Sequence, residues 1–109
     1  MHSSYDATAG AAYITVSSND VARTVEVTPT VLVDLDALGV VVGVELLRPQ
    51  EAVPVETITQ QCHVLEKDRD ELQKTLQHIS QIAFQDSQAR RDSPHSATPR
   101  WSGDGLVTA

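Results

Sequence analysis

The sequence predicts an α+β protein: a four-stranded antiparallel β-meander followed by one long C-terminal helix and a disordered tail. Three observations carry this. Residues 12–47 alternate apolar and polar side chains in β-branched runs punctuated by Gly, Pro, Asn and Asp. From about residue 57 the apolar positions recur at steps of four and three. From Asp86 the chain turns to Ser, Asp, Arg, Pro and Gly, a composition that cannot support a core. The expected units are a sheet domain over 1–48, a linker over 49–56, an amphipathic heptad-like helix over 57–85 and a tail over 86–109.

Residues 1–11 are small and polar, with Tyr5-Asp6 and Gly10 reading as a strand start running into a turn. Ala12, Ile14 and Val16 then form one face of a first full strand, and residues 17–20 supply a turn. A second strand over 21–27 places Val21, Val25 and Val27 on the apolar side with Arg23, whose aliphatic stem can lie along the sheet. Pro29 closes it. Residues 31–47 read as a complete hairpin around Asp36-Ala37-Leu38-Gly39, with Gly39 where a left-handed residue is needed. A four-residue loop there opposes Leu35 to Val40, Val33 to Val42 and Val31 to Val44. The same logic opposes Val27 to Val31, Val25 to Val33 and Val16 to Val21. The resulting apolar face demands a cover, because each fully buried Val or Leu contributes about 1.5–3 kcal/mol and a bare face aggregates.

Pro49 and Pro54 mark the linker, and Thr57 with Gln60 has capping-box spacing. Ile58, Cys62, Leu65, Arg69, Leu72, Leu76, Ile79 and Ala83 form a heptad seam. Glu66 with Arg69 and Asp70 with Lys74 offer surface pairs. The seam can lie on the sheet as its lid or pair with another copy as a coiled coil. The run of charged residues over 66–71 favours a projecting helix, hence an oligomerisation seam of Ile58, Cys62, Leu65, Leu72, Leu76, Ile79 and Ala83. Trp101 is the tail's strong apolar group, and Arg90-Arg91-Asp92-Ser93 resembles a basophilic phosphorylation site.

The 109 residues carry 15 acids and 8 Lys or Arg, a formal net charge of −7. That balance argues against nucleic-acid and anionic-membrane surfaces and suits a basic partner. The acids concentrate in the part expected to fold. Cys62 is alone, which excludes an intrachain disulfide and fits a reducing compartment. No segment approaches the roughly 18 consecutive apolar residues of a membrane helix, and the start has no signal-peptide pattern, so a cytoplasmic protein is expected. Asp34, Asp36 and Glu45 are close together in the proposed hairpin, and Asp34 shares a face with Glu45, so a hard-cation site or an acid–base pair is one reading. Turn capping by Asp36 and solvation of a sheet face explain the same residues with less. His2, His63, His78 and His95 lie at no zinc-ligand spacing, and no phosphate loop or nucleophile elbow is present. No cofactor or metal, and no enzyme activity, is expected.

Tyr5-Asp6, Ala11-Ala12-Tyr13-Ile14, Glu26 before Pro29, and above all the stretch from Val33-Asp34-Leu35-Asp36 through Gly39 to Gly43-Val44-Glu45-Leu46-Leu47 resemble the bacterial and phage domains grouped as domain of unknown function 2283. The resemblance covers roughly residues 3–48, and its signature is the Asp-x-Asp-x-x-Gly turn combined with Gly-Val-Glu-Leu-Leu, marked by Asp34, Asp36, Gly39, Gly43 and Glu45. Gly10 stands where members usually have Asp, and Val40 where they tend to be polar. The resemblance implies a small sheet domain with no established activity, and some members look like partners of small toxin-like proteins.

The expected function is a non-catalytic protein-interaction module that self-associates through sheet and helix. The alternatives are an antitoxin-like partner that neutralises a small basic protein, and a metal-dependent enzyme using Asp34, Asp36 and Glu45.

Overall fold

The computed structural model describes residues 1–92. Residues 93–109 of the expected tail, Ser93 and Trp101 among them, lie outside the described residues, whereas 86–92 are helical. Five strands, not four, form one antiparallel sheet: β1 (His2–Asp6), β2 (Ala11–Thr15), β3 (Arg23–Thr28), β4 (Val31–Leu35) and β5 (Val41–Leu46). Two helices follow, α1 (Val55–Thr59) and α2 (Glu66–Asp92).

The additional strand is β1, which pairs with β2 across a turn in which Asp6 Oδ1 accepts from the Thr8 and Ala9 N–H groups and Gly10 has φ 67°. Four polar residues and Tyr5 at an edge give no apolar alternation, although Tyr5 packs against the core. Pairing supplies what hydrophobicity does not.

The strand order is β1-β2-β5-β4-β3, so the expected meander is corrected. β2 pairs with β5, Ile14 opposite Val44, and not with β3. The predicted pairing of Val16 with Val21 is absent, and Val21 is exposed. Three consecutive strands with a fourth returning beside the last by a longer connection is a Greek-key arrangement. Residues 16–22 make that crossing. The Val16 and Ser17 N–H groups donate to the Val42 carbonyl, Asn19 Nδ2 to Asp36 Oδ2, and the Ala22 N–H to the Leu35 carbonyl.

Two bulges revise the predicted register. In β3–β4, Val25 does oppose Val33, but Glu26 opposes Leu32 and Thr28 opposes Val31, leaving Val27 as the extra residue. In β4–β5, Leu35 opposes Val41, one residue from the predicted pairing, and Val33 opposes Val44 and Val31 opposes Leu46, a two-residue slide, with Val42 left as the extra residue. The slide keeps Val44 and Leu46 on the apolar face, while the bulge transfers that role near the turn from Val40 to Val41, which joins the core.

The predicted helix over 57–85 is two helices. Pro54 is the N-cap of α1 in extended conformation without a side-chain cap bond, so the Thr57–Gln60 capping box is not formed. After Thr59 the chain leaves the helix. His63 forms a parallel bridge with Val40, and its carbonyl accepts from the Val41 N–H at 2.9 Å. This extra bond to the sheet competes successfully with helix continuation through Gln60-Gln61-Cys62-His63-Val64, a stretch of middling helix formers. α2 starts at Glu66 and runs through Asp92, beyond the predicted end at Gln85, because no Gly or Pro intervenes before Pro94.

Leu72, Leu76 and Ile79 of α2 join Val55 and Ile58 of α1, Cys62 and Val64 in one buried cluster with Ala12, Ile14, Val31, Val33, Leu35, Val41, Val44 and Leu46 of the sheet. Ala83 is buried as well. The seam thus lies on the sheet as its lid, within one chain. Leu65 departs from it, being exposed just before α2. Arg69 turns outward and reaches Glu56 Oε2 at 3.7 Å in place of the predicted partner Glu66. Polar bonds fix the lid at both ends: Gln73 Oε1 accepts from the Val55 N–H, Gln61 Nε2 donates to the Val27 carbonyl, and Tyr5 Oη donates to Asp86 Oδ2 at 2.8 Å.

Candidate functional site

Both helices cover one face of the sheet. Alternation sends the intervening residues to the other face, where cross-strand register arranges them in rows. One row is Glu26, Leu32, Glu45, Tyr13 and Ser4; the next is Thr24, Asp34, Gly43, Thr15 and His2. Of the five residues of the family-like signature, Asp34, Gly43 and Glu45 lie in these rows, and Asp36 and Gly39 form the adjacent turn.

Tyr13 does not stand upright in its row. Its side chain leans diagonally across β5 and donates from Oη to Asp34 Oδ2 on β4 at 2.6 Å. Thr24 on β3 donates to the other oxygen, Asp34 Oδ1, also at 2.6 Å. One carboxylate therefore ties together three strands, the first of them from across β5, by two short charge-assisted bonds. Gly43 makes the crossing possible, since a Cβ there would coincide with the Tyr13 hydroxyl and the end of its ring. The glycine has no positive φ and serves no turn. Its role is to be flat.

Burial, the bond to Asp34 and the negative charges of Asp34 and Glu45 push the Tyr13 phenol up to about 12. A hydroxyl so held is a hydrogen-bond donor across the physiological range and a poor nucleophile or base.

Asp36 belongs to a different construction. It is buried at 8 % exposure, and Oδ1 accepts from the Leu38 and Val40 N–H groups at 2.9 and 3.0 Å while Oδ2 accepts from Asn19. Its backbone closes the turn through Asp36 N–H to Val40 C=O and Gly39 N–H to Asp36 C=O, with Gly39 at φ 81°. The Val40 N–H first, then Asn19 and the other turn amides, hold its carboxyl below the usual 3.8 against the opposing effect of burial. The three acids singled out from sequence are thus divided: Asp34 and Glu45 share the open face, and Asp36 is consumed by the turn and the crossing loop. Among the described residues, no three His, Cys, Asp or Glu side chains gather where they could hold a metal ion.

Sequence reasoning missed Tyr13 and Thr24 as partners of Asp34. The available signal was Tyr13 with Gly43, a large polar aromatic and a residue lacking a side chain at diagonal positions of paired strands, but that signal needs the β2–β5 pairing to be read. Away from this face, a concavity of about 330 Å³ lies between α1 and α2, lined by Thr59, Cys62, His63, Val64, Glu66 and Arg69. Burial pushes the Cys62 thiol up, and Arg23 opposes this weakly. Among the described residues, no helix is long and apolar enough to cross a membrane.

Residues 2–48 match the family described as Protein of unknown function (DUF2283), a span that ends two residues past β5 and contains every residue of the open face named above. No curated protein and no solved structure matches the chain.

Proposed function

We propose, for a chain whose residues 2–48 belong to the domain of unknown function 2283 family, the role of a non-catalytic protein-interaction module that docks a partner on the open face of its sheet. The observation that carries this reading is the one-sided cover. Both helices pack on the Ile14, Val33 and Val44 face, while the other face holds a hydrogen-bonded array with half-buried Leu32 and Tyr13 and, among the described residues, no element over it. Solvation of a sheet's second face asks only for polar residues there. Here Tyr13, Thr24 and Asp34 are immobilised, and ordered side chains lose less entropy on binding.

Non-catalytic describes the chemistry that the array favours. The Tyr13 hydroxyl is committed as a donor, and both oxygens of Asp34 accept from hydroxyls. Self-association through the helical seam would require α2 to leave the sheet and expose Leu72, Leu76 and Ile79, so the open face is the surface that the module offers without unfolding.

Affinity capture from the native cell, using the full chain, tests this. The expected result is a partner retained by the wild type and by Lys74→Glu on the exposed side of α2, but lost with Leu32→Lys. A partner retained equally by all three would reject the open face as the docking surface.

A further inference from the structure

The open face has a charge census of one sign. Glu26, Asp34 and Glu45 stand in its two central rows, Asp6 lies in the row below, and no Lys or Arg belongs to any of these rows; His2 is their one basic residue. At the centre lies the Tyr13 ring, one side against the Gly43 backbone and the residue still partly exposed. Glu45 is the direct cross-strand neighbour of Tyr13, and Asp34 holds the ring's hydroxyl end. An aromatic face fixed in position and flanked by two carboxylates is the environment that attracts a cation lying flat on the ring.

We propose that the open face binds a basic partner segment by stacking one of its arginine side chains on the Tyr13 ring, with Glu45 and Asp34 neutralising the guanidinium. This rests on the reading of that face as the docking surface and names the chemistry of what docks there. Arg suits the position better than Lys because a planar guanidinium stacks on an aromatic ring while its edge donates to carboxylates. Asp34 retains acceptor capacity beyond the two hydroxyl bonds, since an ionised carboxylate has about four lone-pair sites. Glu26, two strands or roughly 10 Å from Glu45 with Leu32 between them, extends the acidic track for a second basic residue of an extended segment. A second copy of this chain is disfavoured as the occupant, because back-to-back packing would oppose these acids to one another.

Fluorescence anisotropy with the full chain and labelled ten-residue peptides tests the proposal. One peptide alternates Arg and Thr, and the other carries neutral citrulline at each Arg. The Arg peptide is expected to bind, at least tenfold more tightly than the citrulline peptide and more weakly as salt is raised. Tyr13→Leu and Glu45→Gln should each weaken it by about fivefold or more, and Glu71→Gln on α2 should leave it unchanged. Should Tyr13→Leu fail to fold by circular dichroism, Glu45→Gln, a nearly isosteric change at a half-buried position, still decides. Equal binding of the two peptides, binding indifferent to Glu45→Gln, or no binding of the Arg peptide would overturn the proposal. If a cellular partner is nevertheless lost with Leu32→Lys, the docking reading stands and its arginine chemistry falls. A dimer in light scattering that Tyr13→Leu dissolves would overturn it in favour of a second copy.

Discussion

Tyr13 and Gly43 act as a pair, and the pair can be tested at one atom. In Gly43→Ala the new methyl occupies the space of the Tyr13 hydroxyl, so the ring must swing off β5 and release Asp34. The displaced group is the free end of a side chain, which puts the cost near the lower end of overpacking, about 1 kcal/mol. Urea denaturation should register that loss, and spectrophotometric titration should show the Tyr13 ionisation falling from about 12 toward the ordinary 10. An unmoved titration would mean that the ring does not depend on Gly43. The wild-type phenol carries a sign of its own. Its pKa is raised by folding, so its contribution to stability is complete below pH 10 and is lost as pH rises from 10 through about 12. Asp36 behaves oppositely. Its carboxyl is held below 3.8, so its contribution is present above that value and disappears as pH falls through the lowered one. Asp36→Ala should therefore melt below the wild type at pH 7, with the difference shrinking in acid; a constant difference would assign the loss to packing and not to the carboxylate.

At the scale of elements, legibility divides along what hydrophobic period can encode. Strands β2 to β5 and the apolar face of the sheet were readable, because alternation specifies which side of a strand is buried. The bulge at Val42 is not, since beyond it a slide of two residues preserves side-chain parity and before it Val41 replaces Val40, apolar for apolar, so matching detects neither change. β1 shows in the sequence only as a strand start, because a single aromatic among four polar residues gives no hydrophobic period. The heptad seam over 58–83 was legible as a stripe and illegible as two helices, for Ile58 and Cys62 are buried against the sheet as the spacing demands even though the backbone between them and Leu72 leaves the helix to bond Val41. Of the open-face site, Asp34 and Glu45 could be picked out and their partners could not. The role of α2 as a lid gives a direct expectation. Leu76 is 1 % exposed in the shared core, so Leu76→Ala should cost about 2–5 kcal/mol in denaturant unfolding. A value near zero would mean that α2 is not bound to the sheet in solution.

The whole molecule is closed by contacts between chain segments remote in sequence, which explains why topology escaped a local reading. β2 pairs with β5, the Val40–His63 bridge ties the hairpin tip to the α1–α2 connection, and Tyr5 reaches Asp86 across almost the full described length. Local pattern favours the nearest partner strand, whereas the Greek-key order places β5 between β2 and β4 and leaves only β1 and β3 as edges. With the sheet, both helices and their connection sharing one core, unfolding should be a single transition. Cys62 reports on this, being free, 7 % exposed and located at the junction of all three. Burial and the raised pKa both suppress its thiolate, so a thiol reagent at pH 8 should modify the native chain orders of magnitude more slowly than the urea-unfolded one. Across a urea series, labelling should rise over the same range in which the helical circular-dichroism signal is lost. Labelling that precedes the loss would show instead that the α1–α2 junction opens while the sheet and α2 remain folded.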